Sequence, residues 1–454
     1  MIHQTDHHVR SSFFNRAARE AASLGIYLAI AAPIACTRSE VSLGAGEAGL
    51  EAGDGPCGDG VVVGDVTAAD QDAIEALRGC REVTGSLSVF GFPEMDLTPL
   101  SELRIVRGDM SLGSTSPTNE TFVPSLDGLE SLEQVGSLSL GNLTVEDLSA
   151  LVSLRRVALD PLGPPTLGNS VTLIDCDRLH DLRGLEALTD FSALVLRGNA
   201  SLTSLAGLSV PRSLRSVSAQ GAGALKDLSA LAPLRTLDNL SLQHTALENL
   251  DGLQLDAVGS VSLVDNEQLE QVDSLSSLRS LRSLTIANND RLQALPDWSE
   301  IGGAREVVIV GNAELRAMPA FPLRSTTGFT VGARAQTEGV SSRESFGFDL
   351  LEVGENPKLE SVANIDFASA GSHVAIYGNA SLTRIDFWGL SSLSNLQLVA
   401  NPALSDVWLL HLEEVAELEI RDNPLLSMAT FAAVQTFDSQ TSGNLDSPVS
   451  QAAP

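Results

Sequence analysis

The sequence predicts a mainly β protein built as a parallel solenoid of stacked coils, each 22–23 residues long. Three observations carry the prediction. The string at 194–205 (LVLRGNASLTSL) recurs at 284–295 (LTIANNDRLQAL), 374–385 (VAIYGNASLTRI) and 396–407 (LQLVANPALSDV), all on the pattern L-x-L-x-x-N-x-x-L-x-x-L. The anchors equivalent to Asn199 hold register along the chain, at Cys176, Ala222, Thr245, Asn266, Asn289, Asn312, Arg334, Asn356, Asn379, Asn401 and Asn423. Hydrophobic residues make up 43% of the 454 residues but aromatics only 4%, so Leu, Val and Ala fill the interior, as suits many thin and similar layers.

Each part of the repeat has a physical role. A short L-x-L strand turns its aliphatic side chains inward and its x residues outward. The bend that follows buries backbone polar groups, and an Asn amide can satisfy them, so stacked anchors form a ladder. The last two leucines close the opposite side of the layer. One coil alone cannot offset its ordering entropy, because each buried aliphatic side chain contributes only about 1.5–3 kcal/mol; stacked neighbours can.

Residues 1–35 read as an export signal. Arg10, Arg16 and Arg19 precede an uncharged apolar run at 21–35, too short for a spanning helix. The run ends at Ala32-Pro33-Ile34-Ala35-Cys36, which resembles the lipobox of bacterial lipoproteins. That resemblance implies a lipid on Cys36 and an outer-membrane anchor, with the body facing periplasm or exterior; Ala29-Ile30-Ala31 offers the alternative of ordinary cleavage and secretion. Residues 36–56 read as a flexible tether rich in Gly, Ala and Glu, and 438–454 as a disordered polar tail.

Between these segments, 57–89 (CGDGVVVGDVTAADQDAIEALRGCREVTGSLSV) resembles the opening of receptor L domains, a Cys pair around a short helix followed by C-x-x-V-x-G-S-L-x-V. The strings at 198–208 and 378–390 resemble that family too, and 145–154 (VEDLSALVSL) is similar to internalin repeats. The resemblance implies a right-handed leucine-rich solenoid over 83–437, a disulfide-pinned helical cap over 57–82, and ligand recognition as the role. After export, Cys57 and Cys80 are expected to form the bridge that pins the cap. Cys176 occupies an anchor as a small buried side chain rather than a reactive thiol.

Charge and motif content narrow the function. The net charge of -30, from 28 basic and 58 acidic residues, repels phosphate backbones and anionic lipid surfaces, so nucleic acid is a poor partner. His180, His244, His373 and His411 follow no shared register, and the stretch 54–65 lacks the alternating carboxylates of a calcium loop. No catalytic, metal or cofactor site is expected. The outward strand positions define the expected ligand face, with Arg197, Gln220, Gln243, Val264, Val310, Tyr377, Val399 and Arg421 in one column and Val308 in the next. Tyr377 is the expected anchor for a protein or glycan. A passive envelope component and a polysaccharide-processing β-helix are the rival readings.

Overall fold

The computed structural model describes residues 40–42, 57, 59–90, 95–113, 125–158, 169–298, 301, 304–318, 321–323, 350–367, 373–388, 392–409 and 411–445. The expected leader, the Cys36 attachment site and the tether residues 43–56 lie outside the described residues. The body lies within the unit Val41–Pro454.

The expected parallel solenoid forms. Each coil contributes one strand to a long parallel sheet, in which Ser170–Ile174 pairs with Ala193–Arg197, that with Ser216–Gln220, and so on through Thr236–Gln243, Ala257–Val264 and Ser280–Ala287. The stack continues through Glu306–Val310, Leu350–Gly354, His373–Tyr377, Ser392–Val399 and Glu414–Arg421. Alternation does the sorting: Leu194 and Leu196 are fully buried while Ala193, Val195 and Arg197 are half-buried on the outer face. The inward positions join with the leucines across the coil in one continuous core.

At the amino end, Cys57 and Cys80 form a disulfide across a separation of 23 residues. The helix Gln71–Glu75 starts on Asp70, whose carboxylate accepts from the Ala73 amide at 2.9 Å. The helix buries Ala73 and Ile74. The cap is not only helical, however. Asp65–Ala68 pairs in register with Leu87–Val89, Val66 against Leu87 and Ala68 against Val89, so the stack begins inside the segment assigned to the cap. Val66 and Ala68 alternate inward like any L-x-L pair, and that period decides the boundary.

Two further expectations are corrected. The expected anchor Arg334 lies outside the described residues, and the rung after Asn312 is Asn356: Glu306–Val310 pairs directly with Leu350–Gly354, and the Asn312 N–H donates to Asn356 Oδ1 at 3.0 Å across 44 residues. One step of the stack therefore spans the sequence of two coils, because the ladder selects the next asparagine and not the next register of 22. The tail does not begin at 438, since Gln435–Ser442 pairs along Glu414–Arg421 and Asn444 adds a rung. Thr436, Ser439 and Thr441 stand opposite Val415, Leu418 and Ile420, so the repeat is present with polar residues in its apolar positions.

The far wall of the solenoid also changes along the stack. Early coils close with short 3-10 turns at Thr98–Leu100, Ser149–Leu151, Ser229–Leu231 and Asp273–Ser277. Later coils replace leucine closure with a second parallel sheet of Ser361–Phe367, Arg384–Trp388 and Asp406–Leu409. The β-favouring runs Ile385-Asp386-Phe387 and Val407-Trp408-Leu409 explain the switch.

Candidate functional site: the outer row of the long sheet

The anchors set the geometry of the face. Asn199, Asn266, Asn289, Asn312, Asn356, Asn379, Asn401 and Asn423 are all 0–1% exposed. Each amide works in both directions. Asn289 Nδ2 donates to the carbonyls of Leu263 and Ala287, and its amide N–H donates to Asn312 Oδ1 at 3.0 Å. The pattern repeats from Asn312 to Asn356, Asn379, Asn401, Asn423 and Asn444. Thr245 joins through its backbone N–H and hydroxyl, both donating to Asn266 Oδ1. Ala222 has no polar side chain, and the side-chain ladder breaks there.

Cys176 stands in this ladder as an asparagine surrogate. Its Sγ lies 3.7 Å from the Leu140 carbonyl and 3.6 Å from that of Ile174, the positions an anchor amide would serve, and its N–H donates to Asn199 Oδ1 at 3.0 Å. Burial pushes the thiol up to about 11 from its ordinary 9.0. The folded state thus keeps a proton that the unfolded chain loses first, so Cys176 contributes stability present below pH 9.0 that falls away toward about 11. Iodoacetamide is expected to leave native Cys176 unmodified at mildly alkaline pH and to alkylate it once urea unfolds the chain; rapid labelling of the folded protein would contradict this burial.

Before each anchor comes a residue in the left-handed region, a device the sequence reading overlooked. Gly198 (φ 72) and Gly378 (φ 66) need no Cβ there, whereas Asp265 (φ 53), Glu355 (φ 52) and Ala400 (φ 54) adopt it at a steric cost. The signal was present in the recurrence of Gly, Asp and Asn directly before the anchor. This turn ends every strand at the same point and so aligns the outward side chains.

Those side chains form one unbroken row. Arg197 is paired with Gln220, Gln220 with Gln243, Gln243 with Val264, and Val264 with Ala287 and then Val310. The row continues through Gly354, Tyr377, Val399 and Arg421. Val308 sits one column over, between Thr285 and Glu352. All nine residues of the expected face therefore share one surface of the sheet.

They do not share one exposure. Val264 is 5% and Val310 9% exposed, which corrects the expectation that both offer apolar surface to water. In register with Ala287 between them, they shade one another along the row. Tyr377 is half-buried for a different reason. Its ring lies over Gly354, where an added Cβ would sit 2.3 Å from Cζ, and its hydroxyl donates to Glu352 Oε1 at 2.5 Å. Burial and this carboxylate together raise the phenol well above its ordinary range. Arg421 is paired with Glu419. On the second sheet, Trp408 is 51% exposed with the Arg384 guanidinium 4.2 Å from its ring centre, and Arg384 Nε donates to Asp386 at 2.8 Å. That cluster lay outside the repeat pattern and was missed for that reason.

The repeat is of the leucine-rich type, and residues 169–265 match a family model described as the endo-beta-N-acetylglucosaminidase EndoS LRR domain. The match spans the strands that carry Arg197, Gln220, Gln243 and Val264. A solved structure of a leucine-rich repeat protein from Bacteroides ovatus is similar at 14% identity with a TM-score of 0.23, over 84% of this chain and 88% of that one. No curated protein matches the chain.

Proposed function

We propose that this chain is a non-enzymatic recognition or adhesion module of the cell envelope, held there through a lipid on Cys36, that binds a protein or glycan on the outer row of its long sheet. The observation that supports it is the row itself, which runs in register from Arg197 to Arg421 across successive strands and holds half-buried Arg197, Gln220, Gln243, Tyr377, Val399 and Arg421. A rigid array whose turns fix each outward residue is preorganised, and less ordering entropy opposes binding on such a surface. Leucine-rich arrays ordinarily bind partners and do not turn over substrates, in keeping with this role.

Retention of a ligand from envelope extracts tests the proposal. The wild-type chain is expected to retain a component that Tyr377→Ser, or Gln220→Ala with Gln243→Ala, retains several-fold less. Equal retention by all three proteins supports the passive reading instead. Labelling cells with a lipid precursor, followed by antibody binding to intact cells, tests the anchor and its topology separately.

A further inference from the structure

The amino-terminal stretch of the row differs from the rest. Arg197, Gln220 and Gln243 stand side by side on adjacent strands, each half-buried. Strand spacing places them about 4.8 Å apart. Among the described residues none of the three has a side-chain partner, whereas Arg215, Arg384 and Arg421 are each paired with a carboxylate. Three planar donor groups thus lie in line with their hydrogen-bonding capacity unspent. Ile174 precedes them in the row, and Val264 and Ala287 follow.

The strand positions on the amino-terminal side of them are neutral. Outward positions on these strands hold Ser216, Ser218, Asn239, Ser241, Ser260 and Ser262, and from Ser170–Ile174 to Ser280–Ala287 Arg197 is the one charge on the outward row and the two columns beside it. This is a local exception in a chain of net charge -30. The carboxylates of Asp175 and Asp265 belong to the turn column that follows the row. A basic protein partner would meet carboxylates in that turn column, at Asp175 and at Asp265, which already faces His244, but none on the row itself, and an anionic ligand would meet the repulsive field of the whole molecule.

We infer that the Arg197, Gln220 and Gln243 row is a subsite for an uncharged, extended glycan lying across the strands, with successive sugars meeting successive side chains. The chemistry fits on three counts. Amide and guanidinium planes can each bridge two neighbouring sugar hydroxyls, hydroxyl-bearing Ser and Thr flank them, and the half-buried aliphatic Ile174 offers its side chain to the C–H face of a ring at the near end of the row. The advance of one sugar in an extended polysaccharide is comparable to one strand step, so the register of the sheet matches that of the ligand. This inference rests on the recognition reading above and names the ligand class of its amino-terminal part.

Calorimetric titration of the full chain with cello-, chito- and manno-oligosaccharides, with hyaluronan and heparin fragments as acidic probes, tests it. At least one neutral series is expected to bind, more tightly as chains lengthen from dimer to tetramer and with little sensitivity to salt. Gln220→Ala with Gln243→Ala is expected to weaken that binding by about tenfold, or ~1.4 kcal/mol. Trp408→Ala, on the opposite sheet, is expected to leave it unchanged, and thermal midpoints of all variants confirm that the array is intact. No binding to any neutral series, a preference for the acidic probes, or indifference to the paired glutamine change would each overturn the inference. Retention of an envelope protein with no glycan binding would overturn it while leaving the recognition reading standing.

Discussion

Asn312→Ala is expected to unfold at much lower urea than the wild type, with a loss of about 3–5 kcal/mol. The side chain is 0% exposed and serves three buried backbone groups at once: its Oδ1 accepts from the Asn289 amide, and its Nδ2 donates to the carbonyls of Ile286 and Val310. Removing one partner of a buried hydrogen bond costs about 1–3 kcal/mol, more than the net value of the bond, because the group left behind was desolvated on folding. The neighbouring rungs amplify the loss. Asn289 Nδ2 and Asn356 Oδ1 also lie 3.2 Å from Asn312 amide atoms, so the deletion touches the layers on both sides. Equilibrium urea titration is the measurement, with outward Thr285→Ala as a control expected to stay within about 0.5 kcal/mol. A cost below about 1 kcal/mol for Asn312→Ala would mean that water replaces the ladder readily, and the anchors would then be tolerated fillers.

The second large effect concerns the cap. Replacing both Cys57 and Cys80 by Ser reopens a loop of 23 residues, and chain-entropy reasoning assigns such a closure about 3 kcal/mol. The loss is expected to stay local, because coils in an array contact only their neighbours. Hydrogen exchange should therefore rise in Gln71–Glu75 and Val61–Val62, exposing Ile74 and Leu77, while strands beyond Ser170–Ile174 keep their protection. Unchanged exchange in the cap would show that packing of Ile74 and Leu77 suffices without the bridge.

Much of the architecture was legible because aliphatic periodicity and the anchor asparagines are set by burial, and burial acts on every coil alike. Asn199 and Asn379 identify their own layers in this way. The failures came where a residue's environment depends on a neighbour in another coil. Spacing of 22 residues does not locate the rung after Asn312, which is set by Asn356 Oδ1 accepting from the Asn312 N–H. Val264 and Val310 obey the outward alternation, but their exposure is decided by Ala287 and by each other. Tyr377 was readable as outward, whereas its ring over Gly354 and its bond to Glu352 depend on which strand lies next to it. The last coil was cut short at 437 because polar Thr436, Ser439 and Thr441 occupy the apolar template.

The step from Asn312 to Asn356 bears on how such a molecule changes over evolutionary time. Asn312 and Asn356 are 44 residues apart in sequence yet joined by hydrogen bonds of ordinary length, so continuity depends on local hand-over between turns and not on a fixed count along the chain. Gene duplication or unequal recombination could add, delete or lengthen a single turn while its neighbours retain their contacts. The loops between anchors are accordingly natural places to graft foreign peptides, with a rigid scaffold holding each graft at a known height.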